Sequence, residues 1–146
     1  MQQAVTARTP VHLWIVGIVS LLWNAFGCYQ YLMVNLKNPA FMAQIPADQV
    51  AYMDGLPAWL TAFWAIGVWG GIAGSILLLI RSRYSVWAFA LSAIGAIVGL
   101  GYQIFATERP ASMTAGAMGV IPWAIILFAV FLAWYSWNAD KKGALR

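Results

Sequence analysis

Charge is what this chain has least of. Asp, Glu, Lys and Arg make up 8% of its 146 residues, where soluble domains carry about 25%. A surface in contact with water needs those groups, so most of this surface has to face lipid. The hydrophobic fraction of 63% and the mean hydropathy of +0.77 say the same. The chain is also too short for two soluble domains, and residues 1–146 read as one membrane domain.

Histidine and cysteine each occur once, as His12 and Cys28. A bis-histidine haem is therefore impossible within one chain. A His12–Cys28 pair would join groups roughly 24 Å apart along one helix. Neither a metal set nor any other cofactor is expected. One cysteine also rules out an intrachain disulfide and a CxxC pair, and with them the four-helix thiol oxidoreductases of bacterial inner membranes. Ala25-Phe26-Gly27-Cys28 approximates a lipoprotein cleavage box, but Phe26 is too bulky and the apolar run continues through Tyr31, Leu32 and Met33. His12 itself reads as a polar residue at the membrane surface.

Ionisable side chains are missing from the middle of every apolar run. Proton-coupled carriers generally need one there, and drug exporters of similar helix count carry a buried glutamate in their first helix. Catalytic patterns are missing too: no Ser/His/Asp set at one depth, no HExxH, no phosphate loop. Gly70-Gly71-xx-Gly74 lies inside an apolar run, which excludes phosphate cradling. No catalytic residue is expected, and the chain does not read as an enzyme.

What is present is four long apolar runs: residues 11–34, 57–80, 86–106 and 120–137. Each approaches the ~20 helical residues that cross a hydrocarbon core. None shows the alternation of a barrel strand, which is also only about 9–11 residues long. The fold class expected is all-α integral membrane, a four-transmembrane-helix bundle. Arg8, Arg81, Arg83, Lys141, Lys142 and Arg146 fall at one set of run ends, and Lys37 and Arg109 at the other. Basic residues collect on the cytoplasmic side, which places both termini in the cytoplasm. Their positions explain the net charge of +4 by topology rather than by nucleic-acid binding. Trp14, Trp87, Trp134 and Trp137 at inner ends, with Trp59 and Trp123 at outer ends, form the belts expected of indole rings.

The first outer connection carries helix signals of its own. Asn38-Pro39 and Pro46 with Asp48 read as starts, and Asp54-Gly55 as a stop. Residues 38–55 are therefore read as an interfacial segment of short helices, with Phe41, Met42, Ile45, Val50 and Met53 on its apolar face. The second outer connection, residues 107–119, is rich in Ala, Gly, Ser and Met and reads as a mobile linker.

Small residues recur at fourfold spacing in the second and third runs. Gly67, Gly70, Gly71 and Gly74 in one, Gly95 and Gly99 in the other, are expected helix-packing positions. The spacing fits packing of these two helices within the chain, and equally a homodimer seam. Gly27-Cys28-Tyr29-Gln30 and Gly101-Tyr102-Gln103 hint at duplication of a helical hairpin, as do Pro57-Ala58-Trp59 and Pro122-Trp123. Matched depth brings Tyr29, Gln30, Tyr31 and Asn35 level with Tyr102, Gln103 and Glu108, with Trp64 nearby. This outer polar cluster reads either as a site for a neutral, hydroxyl-rich solute or as hydrogen-bonded glue between helices.

The segments Leu22-Trp23-Asn24-Ala25-x-Gly27, Asn38-Pro39-Ala40, Pro57-Ala58-Trp59 and Trp64-Ala65-x-Gly67-Val68-Trp69-Gly70-Gly71, followed by Gly74-Ser75, resemble a family of uncharacterised small four-helix inner-membrane proteins of proteobacteria. Its members are often labelled hypothetical or putative sugar transporters. The resemblance covers less than half the chain and implies topology and bacterial origin rather than mechanism. In that family an acidic residue is common where Gln30 stands. Two functional expectations follow: an accessory or scaffolding subunit of a larger membrane complex, or a carrier for a small neutral solute such as a sugar. The partners expected are membrane lipid and other membrane subunits or a second copy of the chain.

Overall fold

The computed structural model describes residues 9–146 and is all-helical over that range. Arg8, one of the basic residues used for orientation, lies outside the described residues. Among the described residues four helices are long and apolar enough to cross a membrane: α1 (Val11–Asn35), α4 (Trp59–Leu79), α5 (Ser85–Ala106) and α7 (Ile121–Lys141). The chain is a multi-pass membrane protein built as a four-helix bundle. Between α1 and α4 lie α2 (Pro39–Met42) and α3 (Ala47–Asp54); between α5 and α7 lie α6 (Ala111–Thr114) and a 3-10 turn, Gly116–Gly119.

Local chemistry accounts for most of these boundaries. Asn38 caps α2, its side chain accepting from Phe41 N at 3.0 Å, with Pro39 at the first helical position. Phe41, Met42, Ile45, Val50 and Met53 are all half-buried, while Ala43, Gln44, Ala47 and Asp48 are exposed, so the segment has the two faces its pattern implies. Two boundaries differ from the sequence reading. α7 runs four residues past its apolar stretch, because Asn138 to Lys141 keep helical bonding and Ala139 still packs in the core. The second connection is not a bare linker but two short helical turns, because Thr107 and Ser112 tie it to α3, as described below.

α4 packs on both α1 and α5, and α5 packs on α7. Two rows of small residues allow this. Toward α5, a Cβ added to Gly95 would lie 2.7 Å from both Gly67 N and Phe63 O, so α4 and α5 touch backbone to backbone there. One turn on, Gly70 lies against Ala88 O and Ser92 N, and Gly74 against the Phe89 ring. Toward α1, Gly71 leaves a notch that Asn24 fills; a Cβ there would meet Asn24 Oδ1 at 2.0 Å. Gly99 is looser, its nearest neighbour being Phe63 Cβ at 3.7 Å. Both rows on α4 are thus occupied by helices of the same chain.

The end of the bundle that carries Val11 and Arg146, here the proximal end, holds the main core. Leu13, Leu78, Phe89, Leu132, Ala139, Ala144 and Leu145 are buried together. The tail reaches this core through a Schellman turn. Gly143, at φ +77°, donates to Asp140 O at 3.0 Å, and Ala144 donates to Ala139 O at 2.9 Å. Leu145 is then carried into the core. Arg146 pairs with the α4–α5 turn, donating to Arg81 O at 2.7 Å and accepting from Arg83 N at 2.9 Å. The Arg81 side chain closes the clasp by donating from Nε to Ala144 O at 2.9 Å. These bonds hold Arg81 at φ +60°, where a non-glycine residue is strained.

The close approach at Gly95 makes a sharp contrast with Gly101, around which nothing lies within 4 Å of an added Cβ. Gly95→Ala should lower the thermal midpoint in detergent, at a cost of about 1–3 kcal/mol for overpacking. Gly101→Ala should be neutral or stabilising by up to about 1 kcal/mol through helix propensity. Equal midpoints for the two variants would contradict the α4–α5 contact.

Candidate functional site

The polar residues of the expected cluster lie in the distal part of the bundle and are divided between different neighbours. Tyr31, on the distal half of α1, meets Trp64 of α4 edge-on at 5.1 Å and Trp69 at 6.2 Å. Tyr29 turns the other way, to Phe41 of α2 at 5.8 Å. On α5, Tyr102 packs edge-on against Trp59 of α4 at 4.9 Å. Gln103 donates from Nε2 to Gly99 O of its own helix at 3.4 Å. Gln30 and Asn35 are exposed, and Asn35 donates to Tyr31 O at 2.8 Å. Tyr31 of α1 and Tyr102 of α5 therefore each pack on α4, and Gln30 and Gln103 have separate surroundings.

The distal end is closed by a second set of polar contacts. Thr107 donates to Gln103 O at 2.6 Å, which leaves Tyr52 of α3 to donate its phenolic proton to Thr107 Oγ1 at 2.6 Å. Ser112 of α6 donates to Asp48 of α3 at 2.9 Å. The surface helix α3 is thereby fastened to the α5–α7 connection, over the ends of the spans. Tyr52, Thr107 and Ser112 were not part of the expected cluster. They lie in the two connections between spans, where spacing says nothing about which segments meet.

A further polar seam runs through the interior. Leu13, Gly17, Ser20, Asn24 and Cys28 are the buried residues of α1, and their spacing of three or four puts them on one face. Asn24 donates from Nδ2 to Ser20 O at 2.8 Å and reaches Ser75 Oγ of α4 at 3.5 Å. Ser75 donates to Gly71 O at 2.8 Å, and the Cys28 thiol lies 3.4 Å from Val68 O. On the opposite face of α4, Ser92 of α5 donates to Gly67 O at 2.6 Å. The sequence signal for this seam was the 20-24-28 spacing of small polar residues. It carries no titratable group suited to acid–base work, and its hydrogen bonds join helix to helix. Among the described residues no group of three His, Cys, Asp or Glu side chains is placed to hold a metal ion.

The separation of Gln30 from Gln103 has a measurable consequence. Gln30→Leu and Gln103→Leu should act additively on thermal stability, with a coupling within about 0.3–0.5 kcal/mol of zero. Recovery of stability in the double variant would mean that the two amides share a bond. Compared with family models, with curated proteins and with solved structures, the chain gives no match.

Proposed function

We propose that this chain is a non-catalytic accessory subunit of a larger assembly in a bacterial inner membrane, with both termini cytoplasmic. The observation that carries this reading is the position of Gln30. It sits on the outside of α1, just over one turn before the helix ends at Asn35, beside exposed Leu22, Phe26 and Tyr29. A primary amide in that setting is costly against hydrocarbon. A neighbouring transmembrane helix that offers a carbonyl or hydroxyl to Gln30 relieves the cost. Bonds of this kind contribute only ~0.6 kcal/mol on average in a membrane, so Gln30 sets the register of such a partner more than its affinity. The glycine rows of α4 have no part in this contact, since α1 and α5 fill them. The resemblance to small four-helix inner-membrane proteins agrees with this reading.

Carriage of a neutral solute such as a sugar is the competing assignment. It would need the α1 and α5 groups to line one chamber, whereas Tyr31 packs on Trp64 and Tyr102 on Trp59. The two readings separate on purification in mild detergent with native neighbours. The parent should bring down a stoichiometric membrane partner, and Gln30→Leu should lose it while keeping folded yield, since Gln30 is exposed. A protein that runs alone and gains thermal stability from neutral sugars would overturn the accessory role in favour of carriage.

Orientation has its own test. Reporter fusions after residue 146 and within residues 81–83 should read cytoplasmic, and fusions near Asp48 and Thr114 periplasmic. A periplasmic reading at residue 146 would reverse the proposed topology.

A further inference from the structure

The proximal end has an indentation of about 150 Å³ between the start of α1 and the end of α7, lined by Pro10, His12, Tyr135, Asn138 and Lys142 among others. Tyr135, Asn138 and Lys142 recur at intervals of three and four, so they share one face at the end of α7, with Lys142 as its C-cap. His12 Nδ1 and the Tyr135 hydroxyl share a hydrogen bond, and the two rings meet edge-on at 5.6 Å. When the phenol donates to Nδ1, the ring proton sits on Nε2, a donor pointing away from Tyr135. Neither the accessory role nor the α1 outer face accounts for this group.

Its electrostatics favour an anion. α1 starts at Pro10 with no side-chain cap and no acid in its first turn. Its first turn, in which Leu13 N–H donates to Pro10 O at 3.0 Å, presents the positive end of the helix dipole. Lys142 adds a full positive charge and Asn138 an amide donor. The one acid near the end of α7, Asp140, is two residues from both and faces Arg83 on the far side of the helix, 3.4 Å from its Nε. Cationic and neutral donors thus converge on the hollow without a carboxylate of the same helix face.

The surroundings identify the carrier of that anion. Trp14, Trp134 and Trp137 are exposed at the same end, and Lys141 Nζ stands 4.3 Å over the Trp137 ring. Indoles and amphipathic lysines of this kind mark headgroup depth. Beneath the hollow, α1 and α7 meet through large side chains: Trp23 lies edge-on to Phe128 at 5.3 Å, and Phe128 stacks on Phe131 at 6.2 Å. Val19, Trp23 and Phe131 remain exposed along this seam, leaving an apolar track for an acyl chain directly below the donors.

The geometry points to a binding site for the phosphate group of an anionic phospholipid, held by His12, Asn138, Lys142 and the first turn of α1, with an acyl chain along the α1–α7 seam. Basic hollows between transmembrane helices at headgroup level bind lipid phosphates by this logic. The test uses the full chain in detergent, with lipid retention read by native mass spectrometry and thermal midpoint followed in parallel. Phosphatidylglycerol should be retained and raise the midpoint; phosphatidylcholine and inorganic phosphate should do neither. Lys142→Ala should weaken phosphatidylglycerol retention about fivefold, the loss expected for one basic group near an anionic headgroup. Asn138→Ala should weaken it as well, and Lys141→Ala, on a different face, should leave it at the parent level. Equal retention of the two lipids would overturn the anionic assignment, and equal loss in Lys141→Ala and Lys142→Ala would overturn the site in favour of diffuse attraction. Stabilisation by inorganic phosphate alone would overturn the lipid assignment in favour of a soluble anion.

Discussion

Backbone contact between α4 and α5 is the constraint from which the rest of the bundle follows. With Gly95 lying against Gly67 and Phe63 O, the two helices approach as closely as their main chains permit. No hydrophobic effect operates between helices in lipid, so dispersion and interhelical hydrogen bonds have to supply the association. Close approach strengthens both. It brings Ser92 within 2.6 Å of Gly67 O and lets the Phe89 ring fill the space beside Gly74. A single methyl group at Gly95 would push the pair apart and lengthen that bond.

With one face committed to α5, α4 takes α1 on another. Here the fit is made by a side chain filling a gap: Asn24 occupies the hollow beside Gly71 and stands within reach of Ser75. The amide is buried, but its Nδ2 donates to Ser20 O, so entering the interior does not strand it. α7 is held differently, against α5 and, through aromatic side chains such as Phe128 and Tyr135, against α1. The α1–α7 seam is consequently the part of the bundle where a lipid chain fits without displacing a helix.

The two ends are finished by opposite means. At the proximal end the tail turns back through Gly143, buries Leu145 and pairs its backbone with the α4–α5 turn. That pairing satisfies the main-chain groups Arg81 O and Arg83 N of the α4–α5 turn. At the distal end, side-chain hydroxyls fasten α3 to the α5–α7 connection through Tyr52, Thr107 and Ser112. The spans are therefore clasped by backbone at one end and by hydroxyl groups at the other.

Four spans, the start of α2 at Asn38-Pro39 and the small-residue rows were legible in the sequence because each depends on local chemistry: hydropathy, capping and the size of one side chain. Position along each helix was legible too, and Tyr31 and Tyr102 lie in the distal halves of α1 and α5. Their partners were not. Which way a residue at a given depth faces depends on the order of helices around the bundle, and α4 separates groups that depth alone had joined. Gln30 was placed with Gln103 on that ground; a rotation of 200° beyond buried Cys28 turns it to the outside instead. The hollow at His12 and Lys142 and the clasp at Arg81 were equally hidden, because they join residues more than sixty positions apart. Helix formation and membrane insertion are decided within about twenty residues; azimuth and end closure are decided only when all four helices have packed.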